Sequence, residues 1–140
     1  MSQQVDFYLL RHTDPAARAQ FACRLTQKVY RLGERVHVEV DSDDSAQMLD
    51  ELLWTFSDDS FIPHACLPDT DGYTPVTIGV SGQPVSDTVT VRINLTDTPL
   101  TATDCRIAEI VSGNDNEKAA GRERYAAYRD RGCALDTHKI

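Results

Sequence analysis

The sequence lacks a long hydrophobic stretch: no run of about 18 apolar residues occurs anywhere in the chain. A helix that could span a membrane is therefore not predicted. Residues 1–6 have neither the basic start nor the apolar core of a secretory signal peptide. We therefore expect a cytoplasmic protein without a membrane partner.

Cysteine is scarce and widely spaced. The chain has four cysteines, and none of them forms a Cys-x-x-Cys pair: they are Cys23, Cys66, Cys105 and Cys133. This spacing excludes a zinc knuckle and a redox-active dithiol of the usual kind. In the reducing cytosol, free thiols are the expected state.

Glycine-rich phosphate loops are missing as well. The segment that follows the first apolar run, residues 11–15, contains no glycine, and no Gly-x-x-x-x-Gly-Lys-Ser/Thr motif occurs. Four aspartates lie close together, but their spacing matches no calcium loop, and turn or cap positions explain them better: Asp58, Asp59, Asp69 and Asp71. We therefore predict neither a cofactor nor a metal.

Positive charge is sparse over most of the chain. The net charge is −8, and residues 1–113 carry eight basic and 17 acidic side chains. Contact with nucleic acid needs a concentrated positive surface, so we expect any link to DNA to be indirect, through another protein. Residues 114–140 differ, because they hold six basic and five acidic side chains.

The hydrophobic pattern predicts an α/β fold. Apolar or alternating runs indicate five strands, near residues 5–10, 35–40, 76–80, 88–94 and 106–111. Three helices are predicted between and after them: one from Asp14 to Gly33, one that Asp43 or Asp44 caps, and one over residues 117–131. We expect a single domain, residues 1–140, with a mostly parallel sheet, right-handed crossovers and flanking helices.

The last helix carries a stripe of basic and aromatic residues. Asn114 or Asn116 could cap its start, and Gly132 follows its end. Residues three and four apart share a helix face, and the stripe has that spacing: Lys118, Arg122, Tyr125 and Arg129. Such a face suits a small anionic, partly apolar target. The alternative is an ordinary solvated face, whose basic residues are favoured near a helix C-terminus.

Aromatic residues cluster where the second helix ends. Trp54, Phe56, Phe61 and Ile62 flank the polar break at residues 57–60. Large aromatic side chains are usually core residues, but they also anchor many protein interfaces. Both interpretations remain open for Trp54 and Phe61.

Arg11 and His12 suggest a different function. In histidine phosphatases, which this pair resembles, an Arg-His pair ends the first strand, the histidine takes the phosphate and the arginine holds it. Here Thr13 replaces the glycine that usually follows, and no convincing second histidine exists: the other three are His37, His64 and His138. The alternative function is therefore a small phosphohistidine-type phosphatase; otherwise Arg11 and His12 are polar residues at a strand end.

Taken together, four segments resemble the chi subunit of bacterial DNA polymerase III holoenzyme. They run in order along the chain: Phe7-Tyr-Leu-Leu10, Arg31-Leu-Gly-Glu-Arg-Val36, the stretch from Leu49 to His64, and Arg122-Glu-Arg-Tyr-Ala-Ala-Tyr-Arg129. The resemblance implies a Rossmann-like α/β fold without a nucleotide, in a non-enzymatic adaptor. It further implies two partners, the psi subunit of the clamp loader and the acidic, apolar C-terminal tail of single-stranded DNA-binding protein. Alone the chain would be a monomer, and with psi a heterodimer.

The resemblance also implies where these partners bind. The tail site would comprise Val111, Lys118, Arg122 and Tyr125, with Tyr128, Arg129, Gly132 and Leu135 nearby. The psi face would comprise Trp54, Phe61 and Pro63.

Two departures from the family pattern affect the edge of the tail site. Position 126 is alanine where the family often has a lysine, which leaves one cation fewer. The turn before the last helix is Ser112-Gly113, where a proline-aromatic pair is familiar.

Overall fold

A seven-stranded parallel sheet forms the centre of the protein in the computed structural model, which describes residues 2–57, 61–69 and 72–140. In chain order the strands are β1 (Gln4–Leu9), β2 (Val36–Val40), β3 (His64–Cys66), β4 (Val76–Val80), β5 (Val91–Asn94), β6 (Arg106–Val111) and β7 (Ala134–Lys139). Across the sheet the order is β3-β4-β2-β5-β6-β1-β7, and each of these pairings is parallel. The predicted Rossmann-like α/β fold is confirmed.

Three helices cover the sheet: α1 (Ala17–Arg31), α2 (Asp43–Thr55) and α3 (Asp115–Asp130). Because side chains alternate along a strand, adjacent residues of β1 point to opposite faces of the sheet. Phe7 packs with Tyr125 and Tyr128 of α3, whereas Tyr8 contacts Phe21 of α1 at a ring distance of 5.4 Å. Two apolar clusters result, one under α1 and α2 and one under α3.

The start of α2 differs from the prediction. Ser42 is the N-cap, and its Oγ accepts the backbone N–H of Ser45 at 3.1 Å. Asp43 and Asp44 lie instead in the first turn, where negative charge is favoured by the helix dipole. A serine one residue earlier thus does the capping that was expected of an aspartate.

Both ends of α3 follow the expected chemistry. Asn114 is the N-cap, and its Oδ1 accepts the backbone N–H groups of Asn116 and Glu117 at 2.9 and 3.4 Å. Beyond the C-cap Arg131, Gly132 adopts a φ of +81°, a left-handed conformation that favours glycine.

The sequence-based prediction missed the two edge strands. β3 has only three residues, His64–Cys66. β7 pairs with β1 along its whole length, although its side chains are mostly exposed. Neither segment shows the apolar alternation on which strand prediction depends.

The structure can be compared with the predictions about the cysteine thiols, a metal site and a membrane-spanning helix. All four cysteines are free thiols, as predicted. Asp69 belongs to a turn in which its N–H bonds the carbonyl of Cys66, whereas Asp58, Asp59 and Asp71 lie outside the described residues. Over residues 2–57, 61–69 and 72–140, no three His, Cys, Asp or Glu side chains group in a way that could hold a metal ion. In the same part of the chain, no helix is both long and apolar enough to cross a bilayer.

Candidate functional site

A hollow of about 290 Å³ lies between α3 and the carboxyl-terminal halves of β1 and β6. We call it the α3 hollow. Its wall and floor are formed by Phe7, Leu9, Leu10, Val111, Ser112, Lys118, Gly121, Arg122, Tyr125 and Thr137. An apolar floor with two cations at the edge could accept an apolar group that carries a negative charge.

Helical spacing brings three members of the predicted stripe to this hollow. Lys118, Arg122 and Tyr125 all line it. Arg129, the fourth member, lies further along α3 and is not part of the lining, and its Nε is 3.6 Å from Oδ1 of Asp130. The stripe therefore contributes its amino-terminal three residues to the hollow.

Gly121 explains how the hollow can form at all. A Cβ added at this position would come within 2.8 Å of Cγ2 of Val111, closer than real Cβ atoms approach other atoms. The glycine therefore lets α3 lie close against β6. A residue that weakens a helix is tolerated here because the packing requires it.

The two cations of the hollow, Lys118 and Arg122, are exposed, and neither forms an ion pair with any side chain within residues 2–57, 61–69 and 72–140. Arg124, only two residues beyond Arg122, points the other way and is 1% exposed. Arg122 is thus available to an external carboxylate, whereas Arg124 belongs to the interior.

Arg124 is part of a buried polar network that holds α3 on the sheet. Its Nε donates to Oε1 of Glu109 at 2.9 Å, while Oε2 of Glu109 accepts from the Tyr128 hydroxyl at 2.6 Å and from the Asn94 amide at 2.8 Å. The Tyr128 hydroxyl also accepts the backbone N–H of Leu100 at 2.8 Å. Burial raises the pKa of Glu109, and the charge of Arg124 opposes this shift.

This network corrects the expectation for Tyr128. The side chain is completely buried, so it cannot touch a molecule that arrives from solvent. Burial, followed by the charge of Glu109, raises the pKa of its hydroxyl. Tyr128 therefore supports α3 from within and is not a contact residue of the hollow.

Tyr125 is the aromatic wall of the hollow. It is half-buried, and its ring meets Phe7 edge-on with centroids 5.2 Å apart and an interplanar angle of 61°. Gly132 and Leu135, which were expected nearby, are not among the lining residues: Gly132 ends α3, and Leu135 packs against the cluster under that helix. β7 contributes Thr137 instead.

The Ser112-Gly113 turn fits its surroundings closely. Ser112 is buried, and its hydroxyl donates to the carboxylate of Glu117 and accepts the backbone N–H of Asn114 at 3.2 Å. A Cβ on Gly113 would come within 2.5 Å of the carbonyl oxygen of Arg11. This turn therefore packs closely against the segment after β1, and a side chain at position 113 would not fit there.

An aromatic surface lies at the other edge of the sheet. We use this name for Trp54, Phe61 and Pro63. Trp54 and Phe61 are 49% and 69% exposed, and their ring centroids are 5.5 Å apart. Ile62, between Phe61 and Pro63, is 1% exposed and anchors the segment in the core. The two rings are therefore outside the core, which favours the interface interpretation.

His64 supports this surface from beneath. Its ring centroid is 4.5 Å from that of Trp54, and its Nδ1 is 2.6 Å from the carbonyl oxygen of Ile62. Its Nε2 is 3.1 Å from Oδ1 of Asp50 on α2. These contacts link β3 to α2 and fix the orientation of the Trp54 ring.

A second hollow, of about 520 Å³, adjoins the first. We call it the β1–α1 hollow, and it is lined by Leu10, Arg11, His12, Asp14, Ala17, Gln20, Phe21, Arg24 and Ile140. No histidine other than His12 is among these lining residues. The remaining histidines lie in β2, β3 and β7. This arrangement lends no support to a phosphatase that needs a second histidine.

The site residues that sequence reasoning missed come from the sheet. Phe7, Leu9 and Leu10 form much of the floor of the α3 hollow, and Thr137 is brought to it because it pairs with Phe7 across β1 and β7. Gly121 was visible as a poor helix former in the middle of a strong helix. The conflict between this glycine and the helix around it was the one signal in the sequence for these site residues.

Comparison with known proteins identifies the family. Residues 1–136 match the family model described as "DNA polymerase III chi subunit, HolC". Three relatives carry the name DNA polymerase III subunit chi. The chain is 35% identical to the Pseudomonas aeruginosa protein (98% of this chain, 96% of that protein). It is 30% identical to the Escherichia coli K12 protein (94% of each) and 27% identical to the Haemophilus influenzae protein (100% and 99%). The chain therefore belongs to the chi-subunit family of DNA polymerase III, a family of replication accessory subunits.

Proposed function

We propose that this chain is a non-catalytic adaptor of the cytoplasmic replication machinery. In this proposal the α3 hollow binds the acidic C-terminal tail of single-stranded DNA-binding protein, and the aromatic surface binds the psi subunit of the clamp loader. DNA is reached only through the first partner. The observation that supports the tail site most directly is that Lys118 and Arg122, beside an apolar hollow, form no ion pair with the side chains that the structure describes.

The hollow offers complementary partners for each part of such a tail. Arg122 and Lys118 would hold carboxylates, including the terminal one, through charge-assisted hydrogen bonds. The last side chain of the tail would enter beside Tyr125, over Phe7 and Val111. A volume of about 290 Å³ is sufficient for one large apolar side chain, since a cavity of about 150 Å³ holds benzene.

Two properties of this interaction follow from its chemistry. A disordered tail loses conformational entropy when it binds, so we expect an affinity in the micromolar range. Both cations are exposed, so added salt should weaken binding by screening them. A tight interaction that is insensitive to salt would contradict this account.

The aromatic surface suits a protein partner. Exposed aromatic groups mark interaction sites, and aromatic residues are frequent anchors there. Trp54 and Phe61 form a pair of exposed rings on a support that His64 and Ile62 hold in the fold. We assign this surface, with Pro63, to psi, and propose a heterodimer with psi and a monomer without it.

The tail site can be tested by fluorescence anisotropy with a labelled acidic peptide that ends in phenylalanine. Arg122→Met removes the charge and keeps an apolar stem. If Arg122 makes a charged hydrogen bond, the loss should be about 1.5–3 kcal/mol, or roughly 10- to 100-fold in Kd. Arg129→Met is the matched control, because Arg129 lies on the same helix outside the hollow. Equal losses in the two variants, or no loss in Arg122→Met, would refute the site.

The psi face can be tested by co-purification with psi. Phe61→Ala should abolish capture of psi and leave the peptide titration unchanged, because Phe61 is 69% exposed and distant from α3. Leu32→Ala is the control, since it removes a large apolar side chain that is 71% exposed at the C-cap of α1. Loss of both peptide and psi binding in Phe61→Ala would indicate unfolding, and retained psi capture would refute the assignment.

The non-catalytic character has its own test. Purified protein should release no phosphate from phosphohistidine substrates. Release that His12→Ala abolishes would instead support the phosphatase alternative.

A further inference from the structure

We infer that the β1–α1 hollow is a second subsite of the peptide-binding site, and that it holds the acidic residues that precede the peptide's carboxyl end. This inference rests on the proposed function of the α3 hollow. It assigns a role to Arg11 and Arg24, which the tail site as described above does not use.

The basic side chains of the β1–α1 hollow are exposed to solvent. Arg11 and Arg24 both line it, both are exposed, and neither forms an ion pair within the part of the chain that the structure describes. Asp14 is the one acidic side chain among the described lining residues, and the terminal carboxyl group belongs to another of them, Ile140. Oδ1 of Asp14 already accepts the backbone N–H of Ala16 at 2.8 Å. The two guanidinium groups are therefore available to carboxylates from outside.

The two hollows are neighbours. Leu10 lines both of them. The segment that carries Arg11 and His12 also touches the turn into α3, because the N–H of Gly113 donates to the carbonyl oxygen of His12 at 2.7 Å. An extended peptide advances about 3.3 Å per residue. The two hollows lie on opposite faces of the sheet and meet at Leu10, so the residues upstream of a carboxyl end bound at Arg122 would pass round the end of β1 to reach the β1–α1 hollow.

The charge balance of the protein also favours an acidic occupant here. With a net charge of −8, most of the surface repels an acidic peptide, so binding needs a local concentration of cations. Position 126 of α3 is alanine and supplies no cation to the edge of the α3 hollow. Arg11 and Arg24 add two positive charges on the α1 face of the sheet, across Leu10 from the α3 hollow that Lys118 and Arg122 line.

Two peptides distinguish this subsite from the α3 hollow. One has several aspartates upstream of a terminal phenylalanine, and the other has asparagines in their place. The double variant Arg11→Ala/Arg24→Ala should weaken binding of the acidic peptide by about 2- to 30-fold, the range for two exposed charge pairs. It should leave the asparagine peptide unchanged. Lys28→Ala/Arg31→Ala is the control, because it removes the same charge from the far end of α1.

The outcomes separate the subsite from the proposed function. If Arg122→Met weakens both peptides but the Arg11/Arg24 variant weakens neither, the subsite is refuted and the tail site stands. Equal loss of both peptides in the Arg11/Arg24 variant, or equal loss of the acidic peptide in the Lys28/Arg31 control, also refutes the subsite. If Arg122→Met weakens neither peptide, the proposed function itself fails.

Discussion

Replacing Arg124 with methionine should strongly destabilise the protein without removing any residue that lines the α3 hollow. Arg124 is 1% exposed, and its Nε lies 2.9 Å from Oε1 of Glu109, which is 0% exposed. Without the guanidinium of Arg124, the hydrogen-bond donors that the described residues leave to Glu109 are two neutral groups, the Tyr128 hydroxyl and the Asn94 amide, while the charge of Arg18 still acts on it. Breaking a buried ion pair by removing one partner costs about 3–5 kcal/mol, a large part of the roughly 5–15 kcal/mol that stabilises a typical domain.

The loss should depend on pH in a defined direction. Burial already raises the pKa of Glu109 above that of an exposed carboxyl group, and Arg124 opposes this rise. Removing Arg124 therefore raises this pKa further. A raised pKa means that the folded state binds a proton more readily than the unfolded state, so stability increases as the pH falls through this pKa towards the ordinary carboxyl range. The variant should be most impaired near neutral pH and should recover part of its loss in mild acid.

Urea unfolding at several pH values measures both effects. Arg122→Met is the matched control, since Arg122 is exposed on the same helix and its removal should change the free energy of unfolding by less than about 0.5 kcal/mol. The double variant Glu109→Gln/Arg124→Met should recover part of the loss, because it leaves no unpaired carboxylate. A loss for Arg124→Met that is small, or that is the same at every pH, would refute this account of the network.

Two further predictions concern packing and pH. Gly121→Ala should lower the melting temperature and weaken peptide binding, because overpacking against Val111 costs about 1–3 kcal/mol and the gain in helix propensity is only about 0.5–1 kcal/mol; a raised melting temperature would contradict it. Burial, followed by the charge of Arg92, lowers the pKa of His37 to about 4, so stability should be lost as the pH falls from about 6.5 to about 4. Unfolding titrations should show that His37→Gln removes up to about 3 kcal/mol of this pH dependence, and an unchanged dependence would assign it to other groups.

Hydrophobic periodicity was sufficient to predict the inner strands and the helices. The strands β1, β2, β4 and β6 are buried, so their sequences are dominated by apolar side chains, and prediction placed them within a residue of their observed bounds. β7 was not predicted because an edge strand does not need alternating apolar residues. Its backbone is held in place by pairing with β1, and its side chains are mostly exposed. β3 was not predicted because it has only three residues and follows Pro63. Backbone pairing between segments that lie far apart in the chain produces no recognisable pattern within either segment.

The residues of the candidate site also fall into two groups, those that the sequence pattern could predict and those that it could not. Lys118, Arg122 and Tyr125 share a helix face, so spacing alone brought them together. Helical spacing does not say where the buried side of a helix begins, and Tyr128, three residues beyond Tyr125, proved to be interior. Glu109, a carboxylate among the apolar residues Ile107 to Val111 of β6, was the available sign that a buried polar network exists.

The positions of the two proposed interfaces explain how one chain of 140 residues could bind two partners at once. The aromatic surface adjoins β3, and Thr137 at the α3 hollow belongs to β7, so the two lie at opposite edges of the sheet. Six strand spacings of about 4.8 Å separate these edges by roughly 29 Å. That distance exceeds both the reach of a side chain and the screening length of about 8 Å at physiological salt. Sites so far apart on a rigid sheet behave additively, so the acidic peptide should bind with the same Kd before and after saturation with psi. A change in Kd beyond about 2-fold would mean either that the sheet transmits strain between its edges or that psi reaches across to α3, and in both cases the two surfaces would not be independent.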